Sequence, residues 1–495
     1  MKQEIKILAA LLILSMVFTV LSCRAGDNPN ETVITPDSVA GGENNGETAD
    51  EEIPADTIDP GFVDELPEFN FNEKVFTFLV DPDPAFDRLY DVNVDSQIGE
   101  IVNDTIYLRN RAVEDRLGIV IKDVKDNAAP KTISNSVAAG DTEYNGVWLK
   151  VDNFFSASLK GSYMNLHNAP HINLEKKYWD RNAVNDMTVS GKLYGMTGDI
   201  TTATHSFTHL LMFNKALAAE YGFPNLYNMV REGKWTFDAF NEITKGIYKD
   251  LNGNGKVDAE DFFSIDITPA AYESFFSSSG EKWIEKNAAG EIIFSELTEK
   301  KIAALEKIED MFARKDNVLC GYDWPFKDNR AIFYNGDLGI MCYQSRDIEF
   351  DFGIVPLPKF SDSQDRYYVY AYPFFPFLSV PTTITGSGLE MTGATLEALA
   401  SESYSTLTPA FYDIALENKF TRDEESYEML DIILRSRIYD LLYWGQWDSF
   451  RNWGSGIVAA MQKGGGGYVS TYEKNIEKSK AKIDEIVEIY ANLDG

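Results

Sequence analysis

Residues 250 to 261 read DLNGNGKVDAED, with side-chain oxygens at Asp250, Asn252, Asn254, Asp258 and Asp261 and a glycine, Gly255, at the sixth position. That is the spacing of a twelve-residue calcium loop, in which the carbonyl at position seven, here Lys256, is a further ligand. Asp261 has a shorter arm than the glutamate that usually closes such a loop, and Phe262 and Phe263 follow as packing residues rather than as a sensor's second helix. A lone loop of this kind is a structural clip, so Ca2+ is expected as a stabiliser. The competing reading is an Asx/Gly turn that holds no metal.

Other residues test catalytic chemistry. HSFTH places His205 and His209 four apart, the spacing that turns two imidazoles toward one zinc ion on a helix. The stretch lacks the glutamate of a zinc-protease helix, and no motif supplies a third ligand. Neither a G-x-S-x-G elbow nor a G-x-x-x-x-G-K-S/T loop occurs, so acyl and phosphoryl transfer have no signature. GGGGY (464–468) is too plain for a phosphate cradle and reads as a loop before the last helix. Among 78 acidic residues any two can meet in space, so the carboxylate pair of a glycoside hydrolase is not placed by sequence. The chain is expected not to be an enzyme.

What remains is stacking and hydrogen bonding. Eight Trp and 25 Tyr fall partly in VWLKVD, VYAYPFFPF and YWGQWDSFRNW, where Leu or Val would serve a core as well. Asp, Asn and Gln accept from and donate to polyol hydroxyls, and aromatic rings cover the apolar faces of a sugar. A net charge of -33 excludes nucleic acid and a bare electrostatic attachment to anionic lipid, leaving a neutral or cationic partner.

The elements that must position these groups alternate. Of 495 residues, 44% are hydrophobic, enough for one large core or two smaller ones. KVFTFLV (74–80) reads as a buried strand. The following helix carries Val102, Ile106, Val113 and Leu117 on one face and runs into a strand at Ile119 to Ile121. YNGVWLK is a further strand, GKLYGMTGD a glycine-punctuated turn, and THLLMFNKALAAEYG a strand leading into a helix. Strand, helix, strand predicts an α/β fold with parallel pairing.

The N-terminus sets the compartment. Lys2 and Lys6 precede ILAALLILSMVFTVL, an apolar run too short for a comfortable membrane span, which ends in VLSC. Val20, Leu21 and Ser22 before Cys23 resemble the lipobox of bacterial lipoproteins, which implies a signal peptide over 1–22 and a lipid on Cys23. A plain signal peptide with an incidental cysteine is the alternative. Residues 23–65 are rich in Gly, Asn, Pro and acids without a period, an acidic disordered linker with a reach of roughly 35 Å. Cys320 and Cys342 are then the remaining thiols; a disulfide between them is allowed, and a buried free thiol at Cys342 equally so.

LLMFNKALAAEYGFPN followed by GKWTFDAFNEITK resembles the family 1 extracellular solute-binding proteins, the lipid-anchored receptors of sugar ABC importers. Asn214 and Lys215 stand at the strand-to-helix junction and Trp235 at the next helix start. FYNGDLGIMCYQS resembles that family's strand entering the cleft, DFGIVPLPK its Pro-punctuated strand, and the helices from FTRDEESYEMLDIILRSRIYDL and from about Tyr472 its C-terminal part. The likeness spans roughly residues 70 to 495 and lies in the order of segments. It implies a two-lobed periplasmic-binding-protein-like α/β fold with a ligand cleft between the lobes and crossing hinge strands. Lobe 1 would comprise 66–210 and 378–405, lobe 2 would comprise 211–377 and 406–495, and the hinge would close around ligand.

The same resemblance nominates the cleft residues. Trp148 ends a strand where the family presents an aromatic, with Asp152 nearby; packing under a helix is the other reading for Trp148. Asp199 lies near the first crossing and either faces ligand or stabilises a turn. Tyr343 and Gln344 follow LGIM, read as strand. Tyr372 lies on the second crossing, and Trp444 and Trp447 line the ligand or cap the third, with Asp448 supplying Trp447 a polar neighbour. The implied function is a non-catalytic, monomeric receptor, lipid-anchored on the extracytoplasmic side of the cell envelope, that captures a carbohydrate, as an oligosaccharide, for the transmembrane permease subunits of an ABC importer. Two alternatives are a helix-rich glycan-binding lipoprotein serving an outer-membrane transporter and an anchored glycan-degrading enzyme.

Overall fold

The computed structural model describes residues 62–82, 92–288, 290–314, 317–417, 424–441 and 448–493. The signal peptide, Cys23, most of the linker, Trp444 and Trp447 lie outside the described residues.

The first strand-helix-strand unit forms as the pattern dictates. Strand Lys74–Val80 pairs in parallel with Ile119–Lys125, in register from Lys74 opposite Ile119 to Val80 opposite Lys125. The helix between them, Ile101–Leu117, buries Val102, Ile106, Val113 and Leu117, the face read from sequence. Glu100 caps its start by accepting from the Asn103 amide. Gly118 ends it at φ 63°, a left-handed turn where a Cβ would also come within 2.5 Å of the Asn70 carboxamide oxygen. Gly146–Lys150 adds in parallel on the other side of the first strand, and Pro376–Ser379 closes the edge antiparallel to it. The result is a four-stranded sheet in the order 376–379, 146–150, 74–80, 119–125.

A second, six-stranded sheet runs in the order Phe352–Val355, His209–Asn214, Ala331–Asp337, Phe262–Ile267 and Tyr248–Lys249, with Val318–Cys320 also pairing with Phe262–Ile267. Strands Phe262–Ile267, Val318–Cys320 and Ala331–Asp337 are mutually parallel, so their C-terminal ends point the same way. The central strands are buried along nearly their whole length, as expected where helices cover both faces.

Three stretches of chain lie side by side where the two sheets' segments meet. Thr208 bridges Ala371, the Tyr372 amide donates to the Phe207 carbonyl at 2.8 Å, and strand Val369–Tyr370 pairs in parallel with Arg437–Ile438. The last helix, Gly467–Asn492, touches both sides: the Tyr472 hydroxyl donates to the Ser295 carbonyl at 3.1 Å, and the Tyr490 hydroxyl lies 2.8 Å from Ser158 Oγ.

Two readings change. LGIM, read as strand, lies in a helix, Leu338–Gln344, because Asp337 ends the preceding strand and caps the helix by accepting from the Ile340 amide at 2.8 Å. His205 and His209 share no helical face, since the short helix Thr202–Ser206 stops between them and His209 opens a strand. Of the two readings for the remaining cysteines, the structure has the one without a disulfide: Cys320 is exposed and the Cys342 thiol is buried. Among the described residues no helix is long and apolar enough to cross a membrane.

Candidate ligand-binding cleft

The C-terminal ends of the parallel strands in the larger sheet open onto a cavity of about 500 Å3. Ligands collect at this end in open α/β sheets because strand ends and helix starts leave a crevice there. Asp266 comes from strand Phe262–Ile267, and Glu273 from the helix Ala270–Ser278 that follows it. Tyr322 and Trp324 come from the loop after Val318–Cys320, and Tyr334 and Asp337 from Ala331–Asp337. His209 and Tyr372 form the wall nearest the chain crossings. Ser455, Val458, Ala459 and Gln462 close the far side from helix Asp448–Lys463.

Three carboxyls face this space with their acidity weakened. Asp266 is 1% exposed; burial pushes its pKa up to about 7, and Asp323 adds to the shift, although the Phe326 amide donates to Asp266 Oδ2 at 3.2 Å. Burial likewise raises Glu273 to about 7 against a hydrogen bond from the Tyr370 hydroxyl at 3.1 Å. Asp337 is raised to about 7 by burial against the helix-capping amides of Ile340 and Gly339. His209 moves the opposite way: burial lowers it to about 4, so its ring is neutral at physiological pH, and its buried Nδ1 has no hydrogen-bond partner.

Aromatic rings fill the gaps between these groups. The Tyr372 ring lies 5.4 Å from His209 and 4.7 Å from Phe374, and burial with the nearby Glu273 lifts its phenol to about 12. Trp324 packs 5.6 Å from Tyr334, and its buried indole N–H has no acceptor. Its backbone is held left-handed at φ 52°, an uncommon conformation for a bulky residue that concentrates at ligand sites. Buried donors and acceptors without partners are costly in a folded chain, so a polar ligand that meets them gains from their pre-existing desolvation.

Of the sequence-predicted residues, the cavity brings together Gln344 and Tyr372. Tyr343, on the same helix as Gln344, is half-buried and packs against the core. Trp148 is 1% exposed within the smaller sheet, edge-on to Phe78 at 6.5 Å. Successive side chains of a strand point to opposite faces, and here both faces are covered, since Val147, Trp148 and Leu149 are all buried. Asp152 is exposed in the first turn of helix Val151–Ser158, where its charge favours the helix start. Asp199 is taken up by His205, whose Nε2 lies 3.1 Å from its Oδ1. Trp148, Asp152 and Asp199 therefore stand apart from this cavity, which is walled by the larger sheet's segments, Tyr372 and helix Asp448–Lys463.

Sequence reasoning missed Asp266, Glu273, Asp337, Tyr334, Trp324 and, as a cavity residue, His209. A usable signal existed for two of them: Asp266 interrupts the apolar run FFSIDI one residue before its end, and Asp337 closes IFYNGD. A carboxylate at the C-terminal end of a parallel strand sits where such sheets bind ligands.

At the crossings lies a buried polar cluster. Arg437 donates through Nε to Asp180 Oδ2 at 2.7 Å and through Nη1 to His205 Nδ1 at 3.0 Å, while the Tyr439 hydroxyl donates to Asp180 Oδ2 at 2.6 Å. A guanidinium cannot accept, so His205 Nδ1 is the acceptor and its Nε2–H faces Asp199. Burial opposes the Arg437 charge, and Asp180 outweighs it, holding the guanidinium firmly protonated.

In the loop 250–261, Asp250 accepts from the Gly253 amide at 2.7 Å and the Gly255 amide at 2.9 Å. Asn252 and Asn254 both donate to Asp258. Tyr248 reaches Asp261 Oδ2 at 2.7 Å and the Lys256 carbonyl at 3.4 Å, so the groups nominated for calcium converge on one loop. Their oxygens are largely engaged by the loop's own donors, and among the described residues no three His, Cys, Asp or Glu side chains gather as a metal site.

No protein-family model matches the chain. No curated protein matches it in sequence. Solved structures do match in shape. The cyclic alpha-maltosyl-1,6-maltose binding protein of Arthrobacter globiformis superposes with a TM-score of 0.54 at 12% identity, over 84% of this chain and 99% of that one. The fold is that of the two-lobed solute-binding proteins. RafE of Streptococcus pneumoniae, with a TM-score of 0.52 and 15% identity, covers 83% of this chain and 98% of its own. UgpB of Mycobacterium tuberculosis, in complex with glycerophosphocholine, has a TM-score of 0.50 and 16% identity, over 76% of this chain and 94% of that one. These three share the solute-binding fold with the chain while two of their names point to different ligands, so here the site must argue for its own.

Proposed function

We propose that the chain is a non-catalytic solute receptor that takes a carbohydrate, as an oligosaccharide, into the cavity at the ends of the larger sheet's strands, and closes about the three chain crossings. One observation carries this reading: Asp266, Glu273 and Asp337 line one cavity together with Tyr322, Trp324, Tyr334 and Tyr372. Acceptors for hydroxyls between flat apolar faces are what a saccharide requires. Gln344 adds an amide that both donates and accepts.

In the same reading the chain is a monomer, exported and lipid-anchored through Cys23 on the extracytoplasmic side of the envelope, and it delivers its ligand to the permease subunits of an ABC importer. The lipobox-like VLSC and the acidic tether support this part. Calcium clips the loop 250–261, supported by the spacing of its oxygens.

The deciding experiment is a thermal-shift screen against neutral and charged oligosaccharides, peptides and polyamines, followed by recovery of the bound compound. A saturating binder should add a few kcal/mol, about 2.7 kcal/mol at a hundredfold excess over Kd. A glycan recovered intact supports the receptor; a cleaved glycan makes the chain an enzyme, and a panel with no shift at all removes the site.

A further inference from the structure

The cavity is one-sided in its chemistry. Asp266, Glu273 and Asp337 contribute carboxyl groups and His209 a neutral imidazole, whereas among the described residues no lysine or arginine lines it. The cations on the adjoining segment are already engaged, Lys327 with Asp347 at 3.2 Å and Arg330 with Asp328 at 2.9 Å. Buried carboxylates in folded proteins are almost always paired, because desolvation of a lone charge is expensive. Here that cost is visible as weakened acidity at all three groups. The second observation is independent of the acids: His209 is 3% exposed, lines the cavity, and leaves its Nδ1 without a partner. The third is aromatic: Tyr334 and Tyr372 each lie within electrostatic reach of two of these carboxyls, Tyr334 of Asp266 and Asp337, Tyr372 of Glu273 and Asp337. Among the described residues Arg330, outside the cavity and paired with Asp328, is the one cation that favours the Asp266 charge, and it does not offset burial. Carboxylates with aromatic faces and no lining cation form the environment that holds an ammonium group.

We propose that the cleft selects a positively charged ligand, a saccharide bearing a primary amine, whose ammonium group takes the place of the missing counter-ion among Asp266, Glu273 and Asp337. The inference rests on the receptor reading of the same cavity and specifies its ligand class. The sugar rings lie on the aromatic faces, and the ammonium supplies donors to the carboxylates, which no neutral sugar does with a full charge.

The test uses the full-length chain in detergent micelles and isothermal titration. The probes are gluco-, galacto- and manno-oligosaccharides, each as the parent sugar, as its 6-amino-6-deoxy derivative, and as that derivative N-acetylated. In one series the amine should bind at least tenfold more tightly than both its N-acetylated twin and its parent. Raising salt from about 20 to about 500 mM should weaken the amine's binding and leave the parent's unchanged, since only the charged contact is screened. Glu273→Gln and Asp266→Asn should each erase most of the amine preference. Equal or tighter binding of the uncharged forms overturns the cationic ligand and leaves the receptor intact. If no form in any series binds, the receptor reading fails with it.

Discussion

Asp266 lies 1% exposed at the end of strand Phe262–Ile267, and burial moves its carboxyl from 3.8 up to about 7. The sign follows from linkage: an acid whose folded pKa exceeds its unfolded value binds its proton more tightly when folded. Its contribution is fully present below the unfolded value and is lost as pH rises through the folded one. A displacement of about three pK units at about 1.4 kcal/mol each makes the ionised Asp266 cost about 4 kcal/mol, of which roughly 2 to 3 kcal/mol is incurred between pH 5 and pH 8. Asp266→Asn removes the titration while keeping the oxygen that accepts from the Phe326 amide at 3.2 Å. Without added ligand, the wild-type urea midpoint should fall from pH 5 to pH 8, and the variant's should fall less. The variant should be the more stable form at pH 8, with its advantage shrinking by roughly 2 kcal/mol at pH 5. A variant destabilised equally at both pH values would refute the reasoning, because it would mean that the carboxylate is comfortably solvated or paired.

Trp324→Ala should weaken saccharide binding by about tenfold or more by calorimetry at a temperature where the variant is fully folded, the loss of a stacking face of roughly 1.4 kcal/mol, and should also lower the melting temperature because the ring packs on Tyr334. An unchanged affinity would take Trp324 out of the site. Asp261→Ala strands three donors, the Tyr248 hydroxyl and the Leu251 and Asp258 amides, and should cost about 2 to 4 kcal/mol in denaturant titrations. Calcium should raise the melting temperature of the wild type but not of Asp250→Ala; identical curves with and without calcium would leave the loop an Asx/Gly turn. Gly393→Ala would place a Cβ 1.9 Å from the Pro170 carbonyl oxygen, so its melting temperature should drop by the equivalent of about 3 kcal/mol or more.

The fold was legible because its signals are local. The β-branched and aromatic run 74–80, the one-sided helix ending at Gly118 and the strand behind it form a unit whose pairing follows from pattern alone. The site was less so, because a cavity is assembled from distant segments and its walls look like core in one dimension. Trp148 and Tyr372 have the same aromatic character in sequence, yet one lies inside its own sheet and the other faces the cavity. Asp266 and Asp337 carried a positional signal at strand ends, but Glu273 sits in the first turn of a helix, where acids are favoured for the helix's own sake. LGIM misled because four apolar residues fit strand and helix periods equally; the capping role of Asp337 decided it.

The antiparallel edge formed by Pro376–Ser379 on Gly146–Lys150 carries a consequence for the newborn chain. Gly146–Lys150 emerges with Val147, Trp148 and Leu149, all apolar, and waits for a partner that arrives about 225 residues later. At about 5 to 20 residues per second the wait lasts roughly 10 to 45 s. For that interval the smaller sheet has an open, sticky margin, the kind that other nascent chains can join. Shielding residues 146–150 until their partner strand arrives should therefore raise the yield of folded protein. A charged residue introduced there to relieve the hazard would be paid for in the finished core, where Trp148 and Leu149 are each 1% exposed.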